Sequence, residues 1–242
     1  MPSAMMYCIS KKGKSACQSA NNELLCVCET AMNSFVWSVF RPPSLCYNRD
    51  KEKASERTAD TMERLLPTSV QTFETLRDKG MVYVDKTAYI EKLRKKSREI
   101  FLSRPRRFGK SLFTSTLEAY FLGKKELFRG LEISEIEERK GDGAWKTYPV
   151  IPFYLASGEF NKKNGLEDIL DGVLTSCIEK YDLHGEYSVS GETLPRRFRN
   201  VLERLYQKTK SPVVVLIDEY DNPLLKAEDS EQEKRNRELY KA

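Results

Sequence analysis

Long apolar runs are missing from this sequence. None approaches the roughly 20 residues needed to span a bilayer. The longest are Val213–Ile217 and the broken patch Phe35–Phe40, so no membrane partner is expected. Glycine (12) and proline (10) are too scarce for a collagen-like or low-complexity chain. There is one histidine, His184, and one cysteine beyond residue 46, Cys177. The other five cysteines, Cys8, Cys17, Cys26, Cys28 and Cys46, crowd the start of the chain. They form one C-x-C pair and no C-x2-C pair, and His184 is remote, which speaks against a zinc ribbon or finger. The opening Met-Pro-Ser-Ala-Met-Met lacks the basic stretch and apolar core of a secretory signal. A disulfide framework would need an oxidising compartment. The expectation is a cytoplasmic protein with reduced thiols.

Lys and Arg total 41 against 36 Asp and Glu, which gives a net charge of +5 and a pI near 8.7. Apolar residues make up 40% and mean hydropathy is −0.58. That is too apolar and too balanced for a wholly disordered chain. The modest positive charge does not by itself indicate a nucleic-acid partner.

The character of the chain changes near residue 60. Residues 1–61 mix Ser, Asn, Cys and Lys without sustained periodicity, and Arg41-Pro42-Pro43-Ser44 is a breaker cluster. They read as a poorly ordered N-terminal extension. Residues 62–242 carry regular punctuation and read as one domain. Pro67–Lys79 is expected as a helix stopped by Gly80, and Met81–Val84 as a short strand. Asp85–Ser97 is expected as a helix with Asp85 as N-cap. Glu99–Ser103 reads as a buried strand and Lys110–Leu122 as a helix ended by Gly123. In Tyr148–Leu155, Pro149 and Pro152 push a strand toward a sheet edge. Leu166–Tyr181 and Leu194–Lys208 are amphipathic helices. Val213–Ile217 is the β-branched run of a central parallel strand buried on both faces. Strands alternating with helices predict an α/β fold.

The chemistry concentrates in Ser103–Leu112, SRPRRFGKSL, between a predicted strand and a predicted helix. Gly109-Lys110-Ser111 is the end of a Walker A motif. Glycine admits close backbone approach to a phosphate. Lys110 is placed to reach the β- and γ-phosphates, and the Ser111 hydroxyl to hold Mg²⁺. The opening N–H groups of the following helix have no intrahelical partner, and the helix dipole adds to their attraction for an anion. Arg104 stands where the general pattern G-x4-G-K-[ST] has its first glycine. Lys92–Lys110 holds nine basic residues against Glu99 alone. The second motif is Val213–Asp221, VVVLIDEYD, which matches a Walker B motif. A carboxylate at the carboxyl end of a strand lies where open α/β sheets place ligands. Asp218 is assigned to Mg²⁺ and Glu219 to the orientation and deprotonation of an attacking water. A bland alternative, a buried strand running into an acidic turn, stands beside this reading.

The same residues resemble a known family. Leu66-Pro67, Tyr83–Thr87 (YVDKT), Phe101–Leu112 (FLSRPRRFGKSL), Thr116–Phe121 (TLEAYF) and Leu216–Asp221 (LIDEYD) look like the AAA-ATPase-like domain of prokaryotic proteins. That family often carries a C-terminal nuclease-like domain of the PD-(D/E)XK superfamily. The resemblance covers about residues 62–228, and RPRRFGKS is the family's own form of the loop. It implies a P-loop NTPase fold, three layers α/β/α around a parallel sheet, with ATP and Mg²⁺ as cofactors. The loop residues Arg104, Pro105, Arg106, Arg107, Phe108, Gly109, Lys110, Ser111 and Leu112 are the expected nucleotide contacts.

In P-loop ATPases of this branch a strand after the Walker B strand inserts beside it, next to the P-loop strand, and ends in a polar residue. Here Asn222–Ala242 reads as a loop and a charged helix, with no apolar strand. The expectation is a truncated domain that lacks its central strand, with a homo-oligomer or a partner chain completing the sheet. Nucleotide binding is expected to survive this better than turnover. The competing reading is a non-enzymatic nucleic-acid-binding or regulatory module that uses the basic 92–110 segment. Trp145 and Tyr148 are weighed as base-stacking residues or core, and Pro195–Arg199 as a second basic cluster or an exposed helix face.

Overall fold

The computed structural model describes residues 4–10, 65–68, 70–96, 98–103, 107–162, 164–183, 193–227 and 230–241. The chain divides into two compact units. One joins Met1–Lys11 to Arg64–Ala242; the other, Lys12–Glu63, lies outside the described residues. Cys17, Cys26, Cys28 and Cys46 fall there, and His184 is also outside the described residues.

In chain order the first unit contains β1 (Ala4–Ser10), α1 (Phe73–Asp78), α2 (Ala88–Lys96), β2 (Glu99–Ser103) and α3 (Lys110–Phe121). A 3-10 turn (Lys125–Phe128) leads to α4 (Glu132–Glu138) and β3 (Val150–Tyr154). α5 (Gly165–Lys180), α6 (Leu194–Thr209), β4 (Val213–Asp218), α7 (Asn222–Leu225) and α8 (Ser230–Lys241) follow. The expected helix at Pro67–Lys79 is confined to α1, and Gly80 (φ +60°) lies just past its end. Met81–Val84 is not a strand. Val82 N–H reaches only the Leu65 carbonyl (3.0 Å), and Val84 is exposed, so no ladder forms.

The four strands form a parallel sheet in the order β2-β1-β4-β3. β3 is an edge, as its prolines predict, and β4 is paired on both sides. The central slot between β2 and β4 was expected to be empty. β1 fills it, with Ala4–Ile9 level with Val213–Asp218 and Met6–Ser10 level with Glu99–Ser103. Ala4–Ser10, read from sequence as part of an extension, is therefore a central strand. The sheet needs no strand from a partner chain in this slot. Its two neighbours each gain a backbone ladder that would otherwise present unpaired N–H and C=O groups to a buried layer.

The period-2 alternation of β4 feeds two separate cores. Val214 and Leu216 join Phe73, Ile90, Leu117, Tyr120, Phe121 and Phe128 on the face covered by α3. Val213 and Val215 join Leu166, Leu174, Cys177, Val201 and Leu205 on the face covered by α5 and α6.

Asp85 was expected to cap α2. Its Oδ1 does accept the Thr87 N–H (2.8 Å) and hydroxyl (2.7 Å) just ahead of that helix. Its other oxygen accepts the Glu132 N–H (2.7 Å), and Thr87 Oγ1 accepts the Ile133 N–H (3.1 Å). The pair thus caps α4, whose own N-cap residue, Leu131, has no side-chain acceptor. Asp85→Ala and Thr87→Val are each expected to destabilise the fold by about 1–2 kcal/mol in urea unfolding. The double variant should lose less than the sum, because both belong to one cap. Additive losses would show two independent contacts instead.

Candidate functional site

α3 opens on Lys110 directly after Gly109, whose φ of +72° lies in the left-handed region. A Cβ at Gly109 would meet nothing within 4 Å. Backbone conformation, not crowding, therefore selects glycine here, and alanine would cost roughly 1 kcal/mol. The Gly109 carbonyl accepts the Phe113 N–H (2.9 Å), which starts the helix. Lys110 is 5% exposed, Ser111 and Leu112 are half-buried, and Arg107 and Phe108 are exposed. Arg107 also has positive φ, +66°. Arg104, Pro105 and Arg106 lie outside the described residues. A buried ammonium at a helix N-terminus adds to the positive end of the dipole rather than opposing it. An anion placed there relieves both at once.

At the other half of the site, β4 ends on Asp218, 1% exposed. Strand alternation puts Asp218 on the same face as Val214 and Leu216, the face packed by α3. The lysine-bearing helix and the aspartate thus share one side of the sheet. Glu219 follows with φ +60° and 4% exposure. A left-handed non-glycine residue costs of order 1 kcal/mol, and such strain gathers at functional sites. Its carbonyl accepts the Asn222 N–H (3.0 Å), and Asn222 Nδ2 donates to the carbonyls of Leu155 (3.0 Å) and Ala156 (3.2 Å). These bonds tie the turn after β4 to the end of β3.

Two neighbours were not assigned a role from sequence. Tyr154, level with Asp218 on β3, donates its hydroxyl to Glu118 Oε2 on α3 (2.5 Å). Burial pushes its phenol far above the ordinary value, and the Glu118 bond and the Glu118 and Asp218 charges push the same way. Asp221 is 7% exposed, and neither carboxylate oxygen has a hydrogen-bond partner among the described residues. A buried polar group left so is rare in native folds. The DEYD string hinted at Asp221; Tyr154 needed the strand register.

The chain matches the family model described as Predicted AAA-ATPase over residues 67–242. It belongs to the AAA-ATPase-like family. It is also 34% identical over 161 residues to a protein of Azotobacter chroococcum mcd 1 described as an uncharacterized protein in the vnfD 5' region. The match covers 66% of this chain and 30% of that protein, so the chain spans about a third of its relative's length. No solved structure matches it.

Other residues of this AAA-ATPase-like chain turn out to be structural. The basic stretch from Lys92 is partly turned inward. Arg94 donates to the Tyr120 hydroxyl (2.6 Å) and lies 3.6 Å from Glu137; Lys95 pairs with Glu91 (3.2 Å). Glu137, 1% exposed, accepts from Tyr120 (2.6 Å), Lys140 (2.5 Å) and the Trp145 N–H (2.9 Å). Trp145 packs against Tyr120 and Phe128, and Tyr148 against Phe121. In the second basic cluster, Arg197 is paired with Asp171 and Thr175 between α5 and α6. Cys177 is buried, and burial pushes its thiol up to about 11. Among the described residues no group of three His, Cys, Asp or Glu side chains could by itself hold a metal ion. No described helix is long and apolar enough to cross a membrane.

Burial works to raise the Glu137 carboxyl, but hydrogen bonds from Lys140, Tyr120 and Trp145 outweigh it and hold it below its ordinary 4.5. A group depressed in the folded state stabilises above its unfolded pKa, and that stability goes as pH falls through the folded value. Between pH 6 and pH 3 the wild-type melting temperature should therefore fall more than that of Glu137→Gln. Parallel curves would show that Glu137 gives no acid-sensitive stability. Asp221→Asn removes an uncompensated buried charge and should stabilise the metal-free chain by about 1 kcal/mol. A loss of stability would reveal a partner for the carboxylate.

Proposed function

We propose that this chain binds ATP with Mg²⁺ at the start of α3 and the carboxyl end of β4, in the three-layer P-loop arrangement. Its family architecture hydrolyses the nucleotide. The observation that carries the reading is the pairing of two costly features on one face of the sheet. One is a buried lysine at a helix N-terminus behind a left-handed glycine. The other is a buried, strained acidic strand end. A phosphate chain with its cation is complementary to both: the anion to the lysine and helix N-terminus, the cation to the carboxylates.

The loop residues Arg104–Leu112 are assigned to the phosphates. The opening N–H groups of α3 and the Lys110 ammonium grip the β- and γ-oxygens. Ser111 and Asp218 would hold magnesium together with phosphate oxygens, since such sites use one or two carboxylates and substrate oxygens rather than an all-protein cage. The donors fit: two oxygen ligands of the right hardness, and in Asp221 a buried carboxylate whose charge a nearby cation offsets. Magnesium, when bound, neutralises charge building on the transferred phosphoryl group. Glu219 orients the attacking water and accepts its proton. Tyr154, level with Asp218, engages Glu118 of α3 through its hydroxyl.

Because the chain covers 30% of its longer relative, binding is the property to test on it, and turnover belongs to the longer architecture. Mg-ATP at a hundred times its dissociation constant should stabilise the fold by about 2.7 kcal/mol. Lys110→Ala should abolish the shift and Asp218→Asn should remove its dependence on magnesium. An unchanged melting temperature at saturating Mg-ATP would overturn the reading.

A further inference from the structure

The turn after β4 is clipped to a single backbone residue beyond β3. Leu155 donates its N–H to the Asp218 carbonyl (3.0 Å), and its own carbonyl accepts from Asn222 Nδ2 (3.0 Å). The Asn222 N–H in turn donates to the Glu219 carbonyl (3.0 Å). Asp218–Asn222 is thus enclosed in a ring of three hydrogen bonds that is held at Leu155. Inside that ring Glu219 has φ +60°. A residue with a Cβ adopts this left-handed form only at a cost, whereas glycine adopts it freely. Asn222 is 6% exposed, and Nδ2 also reaches the Ala156 carbonyl (3.2 Å). Both acceptors are carbonyl oxygens, so the ring needs two donors on one side-chain nitrogen. Lys226 Nζ donates to the same Ala156 carbonyl (3.0 Å) but takes no part in the ring.

We propose that Asn222 is a positioning residue of the magnesium site: its side-chain amide holds the turn in the left-handed form at Glu219, which sets the approach of the Asp218 carboxylate to the cation. This rests on the nucleotide reading given under Proposed function. Without the amide the ring opens between Leu155 and Asn222. Glu219 is then free to relax to negative φ, and the peptide that joins it to Asp218 turns with it. Asn222 acts through the backbone and touches neither nucleotide nor metal. Its effect therefore falls on the tightening that magnesium brings to ATP binding, not on the phosphate grip of Lys110 and α3.

Calorimetric titration of the full chain with ATP in EDTA and with Mg-ATP tests it. The ratio of the two dissociation constants measures the tightening by magnesium. Asn222→Ala should lower that ratio about tenfold, the scale of the two lost amide bonds, and leave magnesium-free ATP within about twofold. Lys226→Met, which removes the other donor to Ala156, should keep the wild-type ratio. Glu219→Gly or Glu219→Ala is then added to Asn222→Ala. Both remove the carboxylate, but only glycine takes the left-handed form freely. With glycine the ratio should return to within about twofold of the Glu219→Gly single variant; with alanine it should stay about tenfold low. Asn222→Ser, with one side-chain donor, replaces Asn222→Ala where the latter does not fold. If wild type shows the tightening and Asn222→Ala keeps it, the positioning role is wrong. If Lys226→Met lowers the ratio as much, or if glycine and alanine at 219 behave alike, the tie is only structural and the proposal falls. If wild type binds no ATP, or binds it without any tightening by magnesium, the reading of the site itself falls and the role of Asn222 with it.

Discussion

Everything at the site depends on β4 being paired from both sides. A parallel strand with partners on each flank has its backbone polar groups satisfied and both faces free to bury apolar side chains. Val213, Val214, Val215 and Leu216 are all within 1% of complete burial. That pairing fixes the height at which Asp218 leaves the sheet. It also fixes which face it leaves from, because a slip of one residue would move it to the side of α5 and α6. β1 provides one of the two ladders, so the segment farthest away in sequence sets the position of the acidic end.

Around this strand, much of the charge is committed to holding helices together. Arg94, Lys140, Glu91, Glu137 and the Tyr120 hydroxyl form one network joining α2, α3 and α4. Asp85 and Thr87 give α4 the cap that its own sequence lacks. Part of the basic 92–110 segment, read as a face for nucleic acid, thus becomes an internal scaffold. The phosphate-loop end is treated differently. There Lys110 is buried at a helix start where a cation is unwelcome, and Asp221 is buried with no hydrogen-bond partner among the described residues. A buried cation at a helix start facing the same side of the sheet as a buried acidic strand end marks where a ligand's charge belongs.

Local signals in the sequence were legible where one element's pattern decided its form. Pro149 and Pro152 in Tyr148–Leu155 predict an edge strand, and β3 is one. The β-branched run at Val213 predicts a doubly buried strand, and Gly109 before Lys110 predicts a helix start with an unusual backbone. Signals that depend on a distant partner were not legible. Ala4–Ser10 (AMMYCIS) has no clean alternation and carries a cysteine from a cluster that drew attention to zinc. Its strand character comes from the vacancy between β2 and β4, not from its own propensity. Asp85 was read as a cap for the helix next to it, when one of its three bonds goes to a helix some 47 residues later. Tyr154 gains significance only through its register with Asp218.

The missing-strand expectation was right about the slot and wrong about what fills it. Two strand edges left open in a buried layer are costly, so something had to occupy the slot. Chain order points to a segment after β4 or to another chain. A parallel ladder does not require sequence neighbours, only a segment of matching length that can reach. Six residues level with Val213–Asp218 meet that need. β1 lies inside the sheet, whereas α8 packs against α7 outside it. A site assembled around such a strand ties ligand binding to whether the beginning of the chain is seated, which joins the stability of the sheet to the chemistry at its edge.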